Sequence, residues 1–212
     1  MGLTLSDLQK GIDWWRKEKG GKWPQDFHNR VYHEIYDLRK DGLTERWWWH
    51  TVDRLWEWRA IRSKKPPNTK REIWERGLEV LDTLQRFYTD IKSKADQEPV
   101  FLNFKWSEIE ELYEQLSGIK MSRSPNFPSK LGHFIFPKLF IVMDHEATGI
   151  EDYGQFWTAM AKAWENFKEK AEAKAILEKE ISKSSRLPVH ENYPFEIKII
   201  ELCHIGRRHR IV

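Results

Sequence analysis

The sequence predicts an all-α protein of about eight helices, and three observations lead there. Apolar residues recur at three- and four-residue intervals along most of the chain. Capping residues, glycines and prolines bracket those periodic stretches. No stretch reads clearly as a strand, and nothing repeats at solenoid spacing.

Leu8, Ile12 and Trp15 define a first helix over residues 5–19, stopped by Gly20 and Gly21. Pro24 suits the first turn of a second helix, whose stripe is Phe27, Val31, Ile35 and Leu38. Thr44 caps a third, running to about Ser63 with Trp48, Val52, Leu55 and Trp58 apolar. Residues 64–69 form a proline loop. Thr69 and Glu72 then make a capping box for a long fourth helix reaching about Lys94. Residues 96–105 are irregular, with a short extended piece over 100–104. Ser107 and Glu110 make a second capping box, and Gly118 ends the helix they open. After a loop over 121–128, a short helix spans 129–136 and breaks at Pro137. Residues 139–143 are apolar and extended. A long helix covers 155–182 and a last one 194–206. The whole chain, 1–212, reads as one domain of two helical lobes around a cleft, with the lobe break near 96–105. A cleft between lobes is a favoured place for a ligand.

Composition excludes several classes. At 212 residues the chain can bury a substantial core. With 40% hydrophobic and 33% charged residues it is globular, not disordered. Its longest apolar run, 134–142, contains Pro137 and Lys138 and falls short of the ~20 residues a spanning helix needs. The N-terminus lacks the basic and apolar regions of a secretory signal. One cysteine, Cys203, excludes an internal disulfide, an iron–sulfur cluster and a thiolate zinc site within one chain. It sits among Ile200, Leu202 and Ile205 as a buried structural thiol. His28 and His33 make no metal motif. The expectation is a soluble cytoplasmic monomer (nucleoid-associated if bacterial), with no membrane partner, no cofactor and no metal.

The net charge of +3 decides little, but its distribution says more. Arg62, Lys64, Lys65, Lys70 and Arg71 flank Pro66 and Pro67. Lys120, Arg123 and Lys130 bracket a second loop, and Arg207, Arg208 and Arg210 lie near the end of the chain. A polyanion reaches such loops readily. The twelve tryptophans must mostly fill core, although large aromatics also stack on bases.

The stretch 124–146 carries the chemistry. Lys130 and Asp144 lie fourteen residues apart. From Lys130 to Pro137 a helix advances about 10 Å at ~1.5 Å per residue. An extended return over 140–144 covers about 13–16 Å at ~3.3 Å per residue. The two side chains can therefore meet, each at a helix N-terminus, where the dipole disfavours an ammonium and favours a carboxylate. Such a pair suits attack at, or electrostatic support of, a sugar C1′ with developing positive charge.

Lys130, the apolar run Leu131 to Phe136, Pro137, and Ile141, Val142, Met143 and Asp144 resemble, in that order, the catalytic core of the helix-hairpin-helix DNA glycosylase superfamily. The 8-oxoguanine DNA glycosylase-like branch is nearest. The resemblance implies an enzyme that flips out a damaged or modified base and cleaves its N-glycosidic bond. By the same likeness Lys130 forms a Schiff base with the sugar, and Asp144 supports the oxocarbenium-like transition state. Two departures stand out. The family's Gly-x-Gly hairpin is replaced by Pro125, Asn126, Phe127, Pro128 and Ser129, and prolines lack the amides that grip a phosphate. The lysine-to-aspartate spacing is also shorter, which leaves open a monofunctional enzyme in which Asp144 activates water.

Ser129, His133, His145, Phe127, Asn126 and Arg123 are the further residues expected to contact substrate or DNA. Trp58 and Phe127 are candidates for stacking on a flipped base, or are core. Arg59 and Arg62 are candidates for holding phosphates. Double-stranded DNA is the expected partner. The alternative readings are a non-catalytic helical nucleic-acid-binding module and a helical interaction domain with a tryptophan surface.

Overall fold

The computed structural model describes residues 2–18, 25–95, 97–122, 124–143 and 152–208. Among them are ten α-helices, two 3-10 turns and no strand, so the all-α expectation holds. None of the helices is long and apolar enough to cross a membrane. The chain divides into two compact units, Met1–His33 with Met143–Val212, and Glu34–Val142. Residues 96–105 thus lie inside the second unit.

The first unit is built on α1 (Leu5–Glu18) packed along α10 (Phe195–Arg208). Glycines make that approach close. A Cβ on Gly11 would strike the Leu202 carbonyl, and one on Gly206 would strike the Asp7 carbonyl. Cys203 is buried, as expected, and its thiol donates to the Thr4 carbonyl at 3.6 Å. Burial pushes that thiol up to about 12. The single long helix expected over 155–182 is instead α8 (Tyr153–Glu165) and α9 (Lys170–Ser184). Asn166 ends α8 and turns its side-chain amide back to the Lys162 carbonyl at 2.8 Å. The turn then buries Phe167 against Trp164. Asn29, on α2 (Gln25–Leu38), holds the loop before α10: its amide donates to the Leu187 and Pro188 carbonyls, and its oxygen accepts from the His190 N–H.

The second unit contains α3 (Glu45–Glu57), α4 (Lys70–Glu79), α5 (Leu81–Ser93), α6 (Glu110–Ile119) and α7 (Asn126–Ile135). The Thr44 cap and the Thr69–Glu72 capping box form as expected. The fourth helix breaks at Val80, whose backbone (φ −108°, ψ 3°) leaves helical geometry. The extended piece expected at 100–104 is a 3-10 turn, Phe101–Asn103. The second capping box does not form: Glu108, not Glu110, reaches back, accepting from the Lys105 N–H at 2.8 Å across a second 3-10 turn, Trp106–Glu108, and the lysine side chain has no acceptor to complete the box. Gly118 does not end α6, which continues to Ile119.

α7 occupies the middle of this unit, against α3 and α6, with every residue from Phe127 to Ile135 buried. It starts three residues earlier than expected. Pro125 and Pro128 fall at the cap and in the first turn, where a helix needs no amide, so neither opposes it. At its other end the chain reverses at Pro137. The ring of His133 meets the Phe140 carbonyl at 2.9 Å, and Gly132 leaves room for the Phe140 ring.

Candidate functional site

α3 ends where the site begins. Its last turn closes with the Arg59 N–H on the Trp56 carbonyl at 3.0 Å and the Ala60 N–H on the Leu55 carbonyl at 2.8 Å. These two bonds form a Schellman motif, whose C′ residue adopts the left-handed region and is usually glycine. Here it is Arg59, at φ 58°. The motif stops the helix at Glu57, well before the expected Ser63, and turns the chain so that three successive carbonyls lie open.

Each of those three carbonyls accepts a hydrogen bond from a cation. Lys130 Nζ donates to the Trp58 carbonyl at 3.0 Å, Arg62 Nε to the Arg59 carbonyl at 2.8 Å, and Lys120 Nζ to the Ala60 carbonyl at 2.8 Å. Cations at a helix C-terminus are stabilised by the unsatisfied carbonyls there. Lys130 is 7% exposed, and its Nζ lies 4.9 Å from the centre of the Trp58 ring, within cation–π reach. Lys120 is half-buried, and its Nζ lies 5.8 Å from the Phe127 ring. Burial, helped by the charge of Arg62, lowers the Lys120 ammonium from its ordinary value. Arg59 and Arg62 are exposed. Four positive side chains thus converge on the end of one helix.

The expected site residues divide accordingly. Lys130, Trp58 and His133 are brought together, the His133 ring lying 5.8 Å from that of Trp58. Arg59 and Arg62 border them on the solvent side. Lys130 stands in the second turn of α7 rather than the first, so the helix dipole acts on it less than the sequence suggested. Ser129 is buried, and its hydroxyl donates to the Asn126 carbonyl at 3.3 Å. Asn126 presents a side-chain oxygen that is buried without a partner among the described residues. Trp58 and Phe127 are 3% and 0% exposed, which places both in the core. In this conformation neither offers a face to a flipped base. Asp144, His145 and Arg123 lie outside the described residues.

Sequence reasoning missed Trp49 as an accessible aromatic. The signal was present in the triplet Trp47, Trp48 and Trp49. Successive helical residues are about 100° apart, so three in a row cannot share one buried face. Trp47 and Trp48 are fully buried, and Trp49 is 54% exposed. A buried lysine, Lys198 in α10, was also missed. It pairs with Glu201 at 2.6 Å, and burial lowers its ammonium against the opposing pull of that carboxylate. Comparison of the chain with protein-family models, with curated proteins and with solved structures finds no match.

Proposed function

We propose that the protein is a DNA glycosylase that flips out a damaged or modified base and cleaves its N-glycosidic bond, leaving an abasic site. The observation that supports it most is Lys130. It is buried on α7, held on the Trp58 carbonyl and beneath the Trp58 ring, on the chain segment that leads to Asp144. The exposed Arg59 and Arg62 beside it supply cations for a DNA backbone.

In this reading the carbon–nitrogen bond at C1′ breaks, and its electron pair leaves with the base. Asp144 stabilises the positive charge that develops on the sugar and takes a proton from the attacking nucleophile. Water as nucleophile leaves an abasic site. The Lys130 amine as nucleophile gives an imine that permits strand cleavage.

The test is release of abasic sites from DNA carrying a panel of damaged and naturally modified bases. Release that is lost in Asp144→Asn supports the proposal. Strand nicking lost in Lys130→Met, with circular dichroism unchanged, assigns the amine; a borohydride-trapped adduct must then map to the Lys130 peptide. No release on any substrate, with ordinary DNA binding by all proteins, would replace the enzyme with the non-catalytic binding module.

A further inference from the structure

A groove of about 540 Å³ lies between α3 and α4, lined by side chains other than those of the Lys130 cluster. Trp49, Val52 and Asp53 line it from α3; Lys70, Trp74 and Glu75 line it from α4. The two indoles meet edge to face, with ring centres 5.9 Å apart at 85°. Their arrangement is held from behind. The Trp48 indole donates to the Trp74 carbonyl at 2.9 Å, and Gly77 allows the Trp48 ring to press on α4. The Trp74 indole N–H is buried with no acceptor among the described residues. The groove is thus a fixed aromatic corner with one indole open to solvent.

Its rim carries two ion pairs, Lys70 with Asp53 and Arg71 with Glu75. The four side chains are 39–84% exposed, and pairs so exposed are worth little. A phosphate can therefore draw the cations away from them. From Arg62 to Arg71 the chain carries five cations and no carboxylate, so the loop entering α4 is a continuous anion-attracting edge.

We infer that this groove is a stacking site for an unpaired base of a single DNA strand whose phosphates run along residues 62–71. A flat heterocycle fits the exposed indole of Trp49. A fully paired duplex offers the site no free base face except at its ends or at a flipped nucleotide, because its other bases are stacked on one another. The inference rests on DNA being the partner, not on base excision. A bound apolar protein segment would use the tryptophans but leave the five-cation edge without a purpose.

The experiment is fluorescence anisotropy of a labelled oligothymidine strand and of a matched duplex with the full chain. Trp49→Ala should weaken single-strand binding about tenfold and leave duplex binding unchanged. Trp49→Phe should restore most of the loss. Replacing Lys70 and Arg71 by alanine should lower the salt dependence of single-strand binding. Trp49 is more than half exposed, so its removal leaves the fold intact, and circular dichroism checks this. Unchanged single-strand affinity in Trp49→Ala, or an equal loss on strand and duplex, overturns the inference while DNA binding stands. A wild-type chain that binds neither DNA overturns this inference and the DNA reading together.

Discussion

Arg59 holds a backbone conformation that a glycine would hold more cheaply. A non-glycine residue in the left-handed region costs roughly 1–2 kcal/mol. Arg59→Gly should therefore raise stability by roughly 0.5–1 kcal/mol, after allowance for the added freedom of the unfolded chain. Urea denaturation measures this, and a loss of stability would show that the side chain contributes more to the fold than its exposure suggests. On the proposed function the same variant binds DNA with a salt slope shallower by about one phosphate contact. A strained residue kept beside a cation cluster is the pattern expected where the side chain, not the turn, is being used. At this scale the sequence was partly legible. Arg59 and Arg62 read correctly as exposed, and Lys130 as a residue of α7. Trp58 and Phe127 did not read as inaccessible, because an aromatic side chain suits core and base stacking equally, and only three-dimensional packing separates the two.

Helices with clear caps were the easiest to read. Thr44, and Thr69 with Glu72, fix their helices through local hydrogen bonds that a sequence displays directly. The errors came where tertiary packing overrode local pattern. The breaks at Val80 and Asn166 have no glycine or proline to announce them. The early start of α7 hides behind two prolines that look like helix breakers and are harmless where they sit. Helix packing yields a contrast among three glycines. Gly11→Ala pushes a methyl into the Leu202 backbone, and Gly77→Ala pushes one into the buried Trp48 ring. Each should cost roughly 1–3 kcal/mol. Gly118→Ala, exposed on α6 with nothing near the added carbon, should gain about 0.5–1 kcal/mol. Thermal unfolding of the three variants checks the order, and equal effects would mean that the close approaches relax freely.

For the molecule as a whole, acid should weaken the fold through one histidine. Burial, reinforced by the charge of Arg207 and opposed by Asp7, pushes the His204 imidazole from 6.5 down to about 4. Between those values the unfolded chain takes up a proton that the folded chain excludes. Stability is therefore intact above about 6.5 and falls as pH drops toward 4. His204→Phe removes the titrating group and keeps a ring against Phe156, so its urea midpoint should change less across this range. Parallel pH profiles for the two proteins would assign the acid sensitivity elsewhere. The all-α class was readable from periodicity alone, whereas the boundaries of the two units were not. One boundary falls inside the continuous helix α2 and the other at Val142–Met143, and neither coincides with a loop signal.

That division bears on how the chain is made. The unit Glu34–Val142 is one unbroken stretch, and every part of it is made before α10 is. The other unit joins α1 to α10, backbone against backbone at Gly11 and Gly206, although the sequence of the first unit lies between them. Helix α1 therefore waits for α10, which is made after the whole of the other unit. Until α10 emerges, the apolar face of α1, with Leu8, Ile12 and Trp15, is the surface a chaperone would cover.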